Sequence, residues 1–182
     1  LGDVYKRQEL KQAAETKKQT ITADNTLTEE EKTAAKNAVD RELRTASDAV
    51  DAATDNAGVE SAKTAGEEAI NAITVATPAK QAAKDALDKA AETKKAEIAS
   101  NSKLTAEEKA EETRKVEEAL TSAKQEVDKA TTNAAVASAK TAGKEAINAV
   151  TTETPAKQAA KEKLAQAAET KKQTITADNT LT

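Results

Sequence analysis

The feature that most limits what this chain can fold into is a duplication at a fixed interval. The string AAETKKQTITADNTLT stands at Ala13–Thr28 and returns unchanged at Ala167–Thr182; a diverged copy, AAETKKAEIASNSKLT, runs from Ala90 to Thr105. The copies start at 13, 90 and 167, an interval of 77 residues each time. SAKTAG at Ser61–Gly66 recurs at Ser138–Gly143, and TPAKQAAK at Thr77–Lys84 recurs at Thr154–Lys161, with no insertion or deletion from Leu10 onward. Self-similarity at one period is the mark of a tandem structural array. It divides the chain into a partial first repeat at 9–77 with a truncated first helix, a complete repeat at 78–154, and the start of a third at 155–182. Residues 1–8 match nothing downstream and hold the only Tyr, Tyr5, so they read as extraneous sequence, such as an assembly scar.

Within the complete repeat, Thr77-Pro78 is a helix-start signal: Thr can cap, and Pro is favoured at the first helical position. Ala79–Ala99 is rich in good helix formers. Its apolar stripe runs Ala79, Ala83, Leu87, Ala90/Ala91 and Ile98, interrupted by Lys94. Ser100 to Lys103 reads as a loop. Thr105 and Glu108 then form a capping box, and Thr28 and Glu31 keep the same two residues. The second helix carries Val116, Leu120, Ala123, Val127 and Ala130, one narrow apolar seam. Thr131 and Thr132 break it, with Asn133 as the expected next N-cap. The third helix places Val136, Ala139, Gly143, Ala146/Ile147 and Val150 on one face. Gly in a helix costs about 1 kcal/mol against Ala, so its presence at both Gly66 and Gly143 points to a tight helix crossing.

The expected fold is therefore all-α: tandem up-down-up three-helix bundles with helices of roughly 17–26 residues and short connections. An odd number of antiparallel helices puts the entry and exit of a repeat at opposite ends. Repeats joined by a short Thr-Pro link then extend end to end as an elongated rod, adding about 35–40 Å each.

Composition narrows the chemistry. The 182 residues include no Cys, His, Met, Trp or Phe. A His/Cys metal site, a Ser-His-Asp or Cys-His nucleophile, a disulfide and an aromatic platform for bases are all excluded. The formal net charge of −4 disfavours phosphate backbones and anionic membranes as partners. No stretch approaches the ~20 apolar residues that span a bilayer. The carboxylate pairs Glu107/Glu108, Glu111/Glu112 and Glu117/Glu118 sit on a helix with a thin core and read as a solvated face rather than as a cleft with perturbed titration. Several acidic residues have helical partners, such as Glu111–Lys115, Asp85–Lys89 and Asp40–Arg44. Ala23-Asp24-Asn25-Thr26 lacks the calcium-loop pattern and reads as a turn that ends a helix. Between copies, seam positions persist (Val39/Val116, Leu43/Leu120, Val50/Val127, Val59/Val136, Ile70/Ile147). Outer positions change, even in sign (Arg41/Glu118, Glu67/Lys144, Asn37/Arg114). A charged docking face common to every repeat would not reverse sign, so a scaffold is favoured.

The residues resemble a known family. The pattern A-K-x-A-A-K-x-x-L-x-x-A-A-x-x-K-K-x-x-I, then L-T-x-E-E-K, then V-x-x-A-x-x-x-G-x-x-A-I-x-x-[IV], is similar to the repeat of the SasC/Mrp/FmtB intercellular-aggregation domain family. Ala79–Ile98, Leu104–Lys109 and Val136–Val150 carry it, with counterparts at Leu27–Lys32 and Val59–Ile73. The resemblance implies a domain of unknown function found in long arrays on wall-anchored surface proteins of Gram-positive bacteria. It implies an extracellular stalk or spacer linked to cell–cell aggregation and biofilm adhesion, with no catalytic residues to carry over. The expectation is thus a non-enzyme without catalytic, cofactor-binding or metal-binding residues and without a cofactor. Its expected partners are like molecules on neighbouring cells or host proteins, not nucleic acid, membrane or small-molecule substrate. Two alternatives stand beside it. One is a host-protein-binding three-helix module, which would need an exposed apolar or aromatic hot spot that is not evident. The other is a stress protectant like late-embryogenesis-abundant proteins, disordered in water; the capping boxes and Thr-Pro breaks favour discrete helices over it.

Overall fold

The computed structural model describes residues 2–182. Among them there are seven helices and no strand: α1 (Gly2–Ala23), α2 (Glu29–Ala52), α3 (Asn56–Asn71), α4 (Ala79–Ser100), α5 (Ala106–Lys129), α6 (Asn133–Asn148) and α7 (Ala156–Ala177). Each of α4, α5 and α6 lies 77 residues beyond α1, α2 and α3, with the same lengths of 22, 24 and 16 residues. The third helix is one residue shorter than the sequence suggests. It stops at Asn71 and Asn148, so Val150 falls in the link that follows rather than on the helix.

α1 is not truncated. Residues 2–8 continue it over the register that 79–85 occupies in α4. Lys6 pairs with Glu60 at 2.8 Å and Arg7 with Asp51 at 3.2 Å, tying this segment to α3 and α2. Leu1, the first residue of the segment read as extraneous, lies outside the described residues.

The chain divides into two compact units, one comprising residues up to Asp85 with Gln125–Lys140, the other Ala86–Lys124 with Thr141–Thr182. The first unit thus contains α1–α3 and the adjoining ends of α4, α5 and α6, so the boundary between the first two repeats is internal to it.

In the first unit, Leu10, Ala14 and Ile21 of α1 meet Val39, Ala46 and Val50 of α2 and Ile70 of α3 in one core. These positions follow the 3.6-residue period of a single helix face. In the second unit the matching positions Leu87, Ala91, Ile98, Val116, Ala123 and Ile147 are buried likewise. Leu43, Leu120 and Val150 are only half-buried, which leaves the core narrower than the aliphatic count implies. The two helical glycines sit where backbones come together. A Cβ on Gly66 would lie 2.4 Å from the Ala46 methyl, and one on Gly143 would lie 2.6 Å from the Ala123 methyl. Both contacts are shorter than atoms tolerate, so a bare backbone is required at this crossing.

Lys94, which interrupts the apolar stripe of α4, spans to a neighbouring helix end. Its ammonium donates to the carbonyl of Asn148 at 3.1 Å, and Lys17 does the same to Asn71 at 2.9 Å. A cation there satisfies a C-terminal carbonyl that the helix cannot pair internally.

Candidate functional site

The most elaborated part of the chain is the joint where one repeat hands over to the next. The links 72–78 and 149–155 end in Pro78 and Pro155. Pro155 has φ −57° and ψ 139°, outside the helix, and it makes no side-chain cap. The first intrahelical bonds run from Ala82 N–H to the Pro78 carbonyl and from Ala159 N–H to the Pro155 carbonyl, each at 3.0 Å. Proline therefore stands at the N-cap rather than at the first helical position, and Thr77 and Thr154 lie one residue too early to cap. A proline cap has no side-chain acceptor, so the first N–H groups of α4 and α7 need one from elsewhere.

The preceding repeat supplies it. Glu31 closes the capping box of α2: its Oε1 accepts the Thr28 N–H at 3.0 Å, while the Thr28 hydroxyl accepts the Glu31 N–H at 3.3 Å. The other oxygen, Oε2, accepts the Ala79 N–H of α4 at 3.0 Å. Glu108 repeats the arrangement, taking Thr105 N–H at 2.9 Å on one oxygen and Ala156 N–H at 2.7 Å on the other. One carboxylate caps two helices, and its charge suits both N-termini. The N–H groups of Thr105 and then Ala156 hold the Glu108 carboxyl below its ordinary range.

Further contacts close the first joint, all inside the first unit. Glu29 N–H donates to the Thr131 carbonyl at 2.9 Å, and Glu30 Oε2 accepts the Asn133 N–H at 3.1 Å. The Thr28 hydroxyl donates to Asn133 Oδ1 at 2.7 Å, and Thr28 has no exposed surface. Lys80 is buried to 6% exposure, its ammonium donating to the carbonyls of Asn25 at 2.9 Å and Asp128 at 2.8 Å. Lys84 pairs with the Asp128 carboxylate. An open groove of about 690 Å³ lies along these residues, lined by Lys80, Lys84, Asp128 and Thr26. In the second unit Lys157 reaches the Ser102 carbonyl at 2.9 Å, the counterpart of Lys80 on Asn25.

Asn133 is not the cap of α6. The cap is Thr132, whose hydroxyl accepts the Ala135 N–H at 3.1 Å, as Asp55 accepts Gly58 N–H at 2.7 Å in α3. That frees the Asn133 side chain for Thr28. The carboxylate pairs divide. Glu107 is exposed, Glu111 and Glu118 bind Arg114, and Glu117 faces Lys95 at 3.9 Å. Glu112 departs from the solvated-face reading: it is 5% exposed and accepts the Thr152 hydroxyl at 2.6 Å. Asp40, expected to face Arg44 along its own helix, is engaged across helices by Lys18 at 2.9 Å. Asp24 accepts the Thr26 hydroxyl at 2.6 Å and its N–H at 2.9 Å, a turn that follows α1; these two bonds lower its carboxyl's affinity for protons. Among the described residues no three His, Cys, Asp or Glu side chains converge as a metal site. No helix there is long and apolar enough to cross a membrane.

Sequence reading found the capping boxes and the links but missed the shared carboxylate. The available signal was the proline-headed helix without an acceptor of its own, preceded in each repeat by a Glu placed at a neighbouring helix start.

A family model described as a domain of unknown function (DUF1542) matches residues 7–78 and again 79–155. No curated protein and no solved structure matches the chain.

Proposed function

We propose, from the premise that this chain belongs to the DUF1542 family, the repeat of SasC/Mrp/FmtB-type surface proteins, that it serves as a stalk that spaces adhesive parts of such a protein from the cell and supports cell–cell aggregation. On this reading it acts outside the cell on a Gram-positive wall-anchored protein, and does no chemistry. The observation that carries it is the joint. A spacer must pass position from one repeat to the next, and here the helix that opens each following repeat is capped by the Glu31 or Glu108 carboxylate of the one before. The boundary between the first two repeats lies inside a compact unit instead of in a free linker. Such a joint resists the bending that a Gly/Ser-type linker would allow.

Small-angle scattering of chains with increasing numbers of repeats tests this. The expected maximum dimension grows by about 35–40 Å per added repeat. A dimension that stays nearly constant as repeats are added would refute it. Pull-down from serum on immobilised protein separates the host-binding alternative: specific, saturable capture of one serum protein would favour that reading.

A further inference from the structure

Three helix N-termini meet at the joint inside the first unit, those of α2, α4 and α6. Each end carries N–H groups without an intrahelical partner and a partial positive charge, so the three repel when brought together. The first turn of α2 offsets this with carboxylates. Glu31 accepts the Ala79 N–H that opens α4, and the neighbouring Glu30 accepts the Asn133 N–H that opens α6. α2 itself is closed by Thr28 and the other oxygen of Glu31. We propose that this joint is a pH-sensitive hinge: protonation of Glu30 and Glu31 opens it while the repeats on either side stay folded.

Glu31 can serve two helices only when it is ionised. Each of its oxygens then takes one N–H, from Thr28 and from Ala79. Once protonated, one oxygen carries an O–H donor that faces another donor, and the bond left on the other oxygen loses its charge. Glu30 loses the same assistance at Asn133. The other charges at the joint do not make up the loss. Glu29 of the same turn is paired with Lys32 at 3.3 Å, and Asp128 of α5 with Lys84; both carboxylates titrate in the same range. Asp24, in the loop after α1, is taken up by Thr26. The loop between α5 and α6 brings only the neutral Thr131, Thr132 and Asn133.

Lys80 of α4 is buried and keeps its proton in acid, so acidification leaves a positive charge beside three positive helix ends. Its bond to the Asn25 carbonyl does not titrate, and with the link 72–78 it remains as the pivot. The repeats themselves are held by cores that carry no charge, such as Val39 and Ile70 in the first and Val116 and Ile147 in the second. The ionised form is the one that closes the joint, so closure is complete above the carboxyl range and is lost as pH falls through it. The hinge stands on the geometry of the joint; what it does to a stalk rests on the function proposed above.

Amide hydrogen exchange of the full chain, read residue by residue by NMR as protection relative to intrinsic rates, is the test. The Glu29 N–H is the reporter, because its acceptor across the joint is the Thr131 carbonyl, which does not titrate. Between about pH 7 and pH 3.5 its protection is expected to fall about tenfold or more, the scale of one lost hydrogen bond to a charged group, while the amides of Val39, Ile70, Val116 and Ile147 stay protected. Glu30→Gln with Glu31→Gln is expected to lower Glu29 protection already at neutral pH and to flatten its pH dependence. Gln serves in a capping box as Glu does, so α2 keeps its own cap and the core amides report that the variant is folded. Glu29 protection that holds through the acid range overturns the proposal, even if the Ala79 amide alone is released. So does loss of the core amides at the same pH as Glu29, or a variant whose Glu29 protection matches the parent. None of these outcomes changes the growth of maximum dimension with repeat number at neutral pH, which tests the stalk separately.

Discussion

Replacing Gly143 by Ala should destabilise the second repeat, against the ordinary expectation for a helical glycine. On propensity alone the added methyl would stabilise α6 by about 1 kcal/mol. The packing decides otherwise. A Cβ at 143 meets the Ala123 methyl at 2.6 Å and Leu87 Cδ2 at 2.8 Å, with the Ala123 Cα at 3.7 Å. The leucine tip can rotate away. The alanine methyl has no rotamer to change, so α5 and α6 must part by roughly 1 Å to restore ordinary contact at about 3.5–4.0 Å. Overpacking of this kind costs about 1–3 kcal/mol, and a clash with an immovable group belongs toward the upper end. The net expectation is a loss of about 1–2 kcal/mol. Ala123→Gly alone should cost about 2 kcal/mol, half from propensity and half from the buried methyl. The double variant only moves one methyl across the contact and should fall within about 1 kcal/mol of the parent. The coupling between the two sites is then about 2–3 kcal/mol, at the high end for touching residues. Urea unfolding followed by far-ultraviolet circular dichroism measures all four forms. Stabilisation by Gly143→Ala, or simple additivity in the double variant, would refute the tight crossing.

Thr28→Ala should cost about 1–2 kcal/mol, near the top of the range for an N-cap, because the fully buried hydroxyl serves both Glu31 and Asn133; Thr105→Ala, without that second partner, should cost less in the same urea assay. Stability should fall on acidification. The carboxyls of Glu108 and Asp24 are lowered from ordinary values of 4.5 and 3.8, so their contribution is complete above those values and is lost as pH falls through the lower native ones. Glu108→Gln, which leaves one oxygen for two N–H donors, should flatten part of that acid limb in a pH series of thermal melts. Glu112→Ala should cost about 1 kcal/mol by stranding the Thr152 hydroxyl, and adding Thr152→Val should recover most of it, since Ala35 and Val75 fill the same positions in the first repeat.

How much could be read before the coordinates depended on whether a residue acts within its own helix. The seam positions Val39, Val50, Val116, Val127, Ile70 and Ile147 are buried as their spacing requires, because a helix face is a local property of sequence. The capping boxes were legible for the same reason, as was the crossing at Gly66 and Gly143, where each helix departs from its own propensity. What escaped were contacts between segments distant in the chain. Pro78 and Pro155 carry both a start signal and a missing acceptor, and only the fold shows that Glu31 and Glu108 provide it. Lys94 looked like a flaw in a stripe because its target, the Asn148 carbonyl, lies 54 residues away. Glu112 looked solvated because its partner arrives from the link after α6. Residues 2–8 match no other part of the sequence, yet they complete α1, since seven residues of adequate propensity will extend a helix already anchored by Leu10 and Ala14.

The joint also explains how the copies can diverge without losing their association. Several of its donors and acceptors are backbone groups: the N–H of Ala79 and Glu29, the carbonyls of Thr131, Asn25 and Asp128. Backbone groups survive substitution, so only a few side chains are held in place, chiefly Thr28, Glu31, Lys80 and their counterparts. One buried pair at this end changes together. Ala35 and Val75 line one cleft in the first repeat, and Glu112 hydrogen-bonded to Thr152 stands in their place in the second. An apolar pair and a satisfied polar pair are both acceptable in a buried site; a mixture of the two would strand a polar group and cost roughly 1–3 kcal/mol. The exposed faces obey no such pairing, and Arg41 becomes Glu118 and Glu67 becomes Lys144. The copies thus keep a small set of joint side chains while the surface charge changes between them. A repeat built this way can be duplicated many times, and each copy can carry a different exterior without disturbing how it is joined to the next.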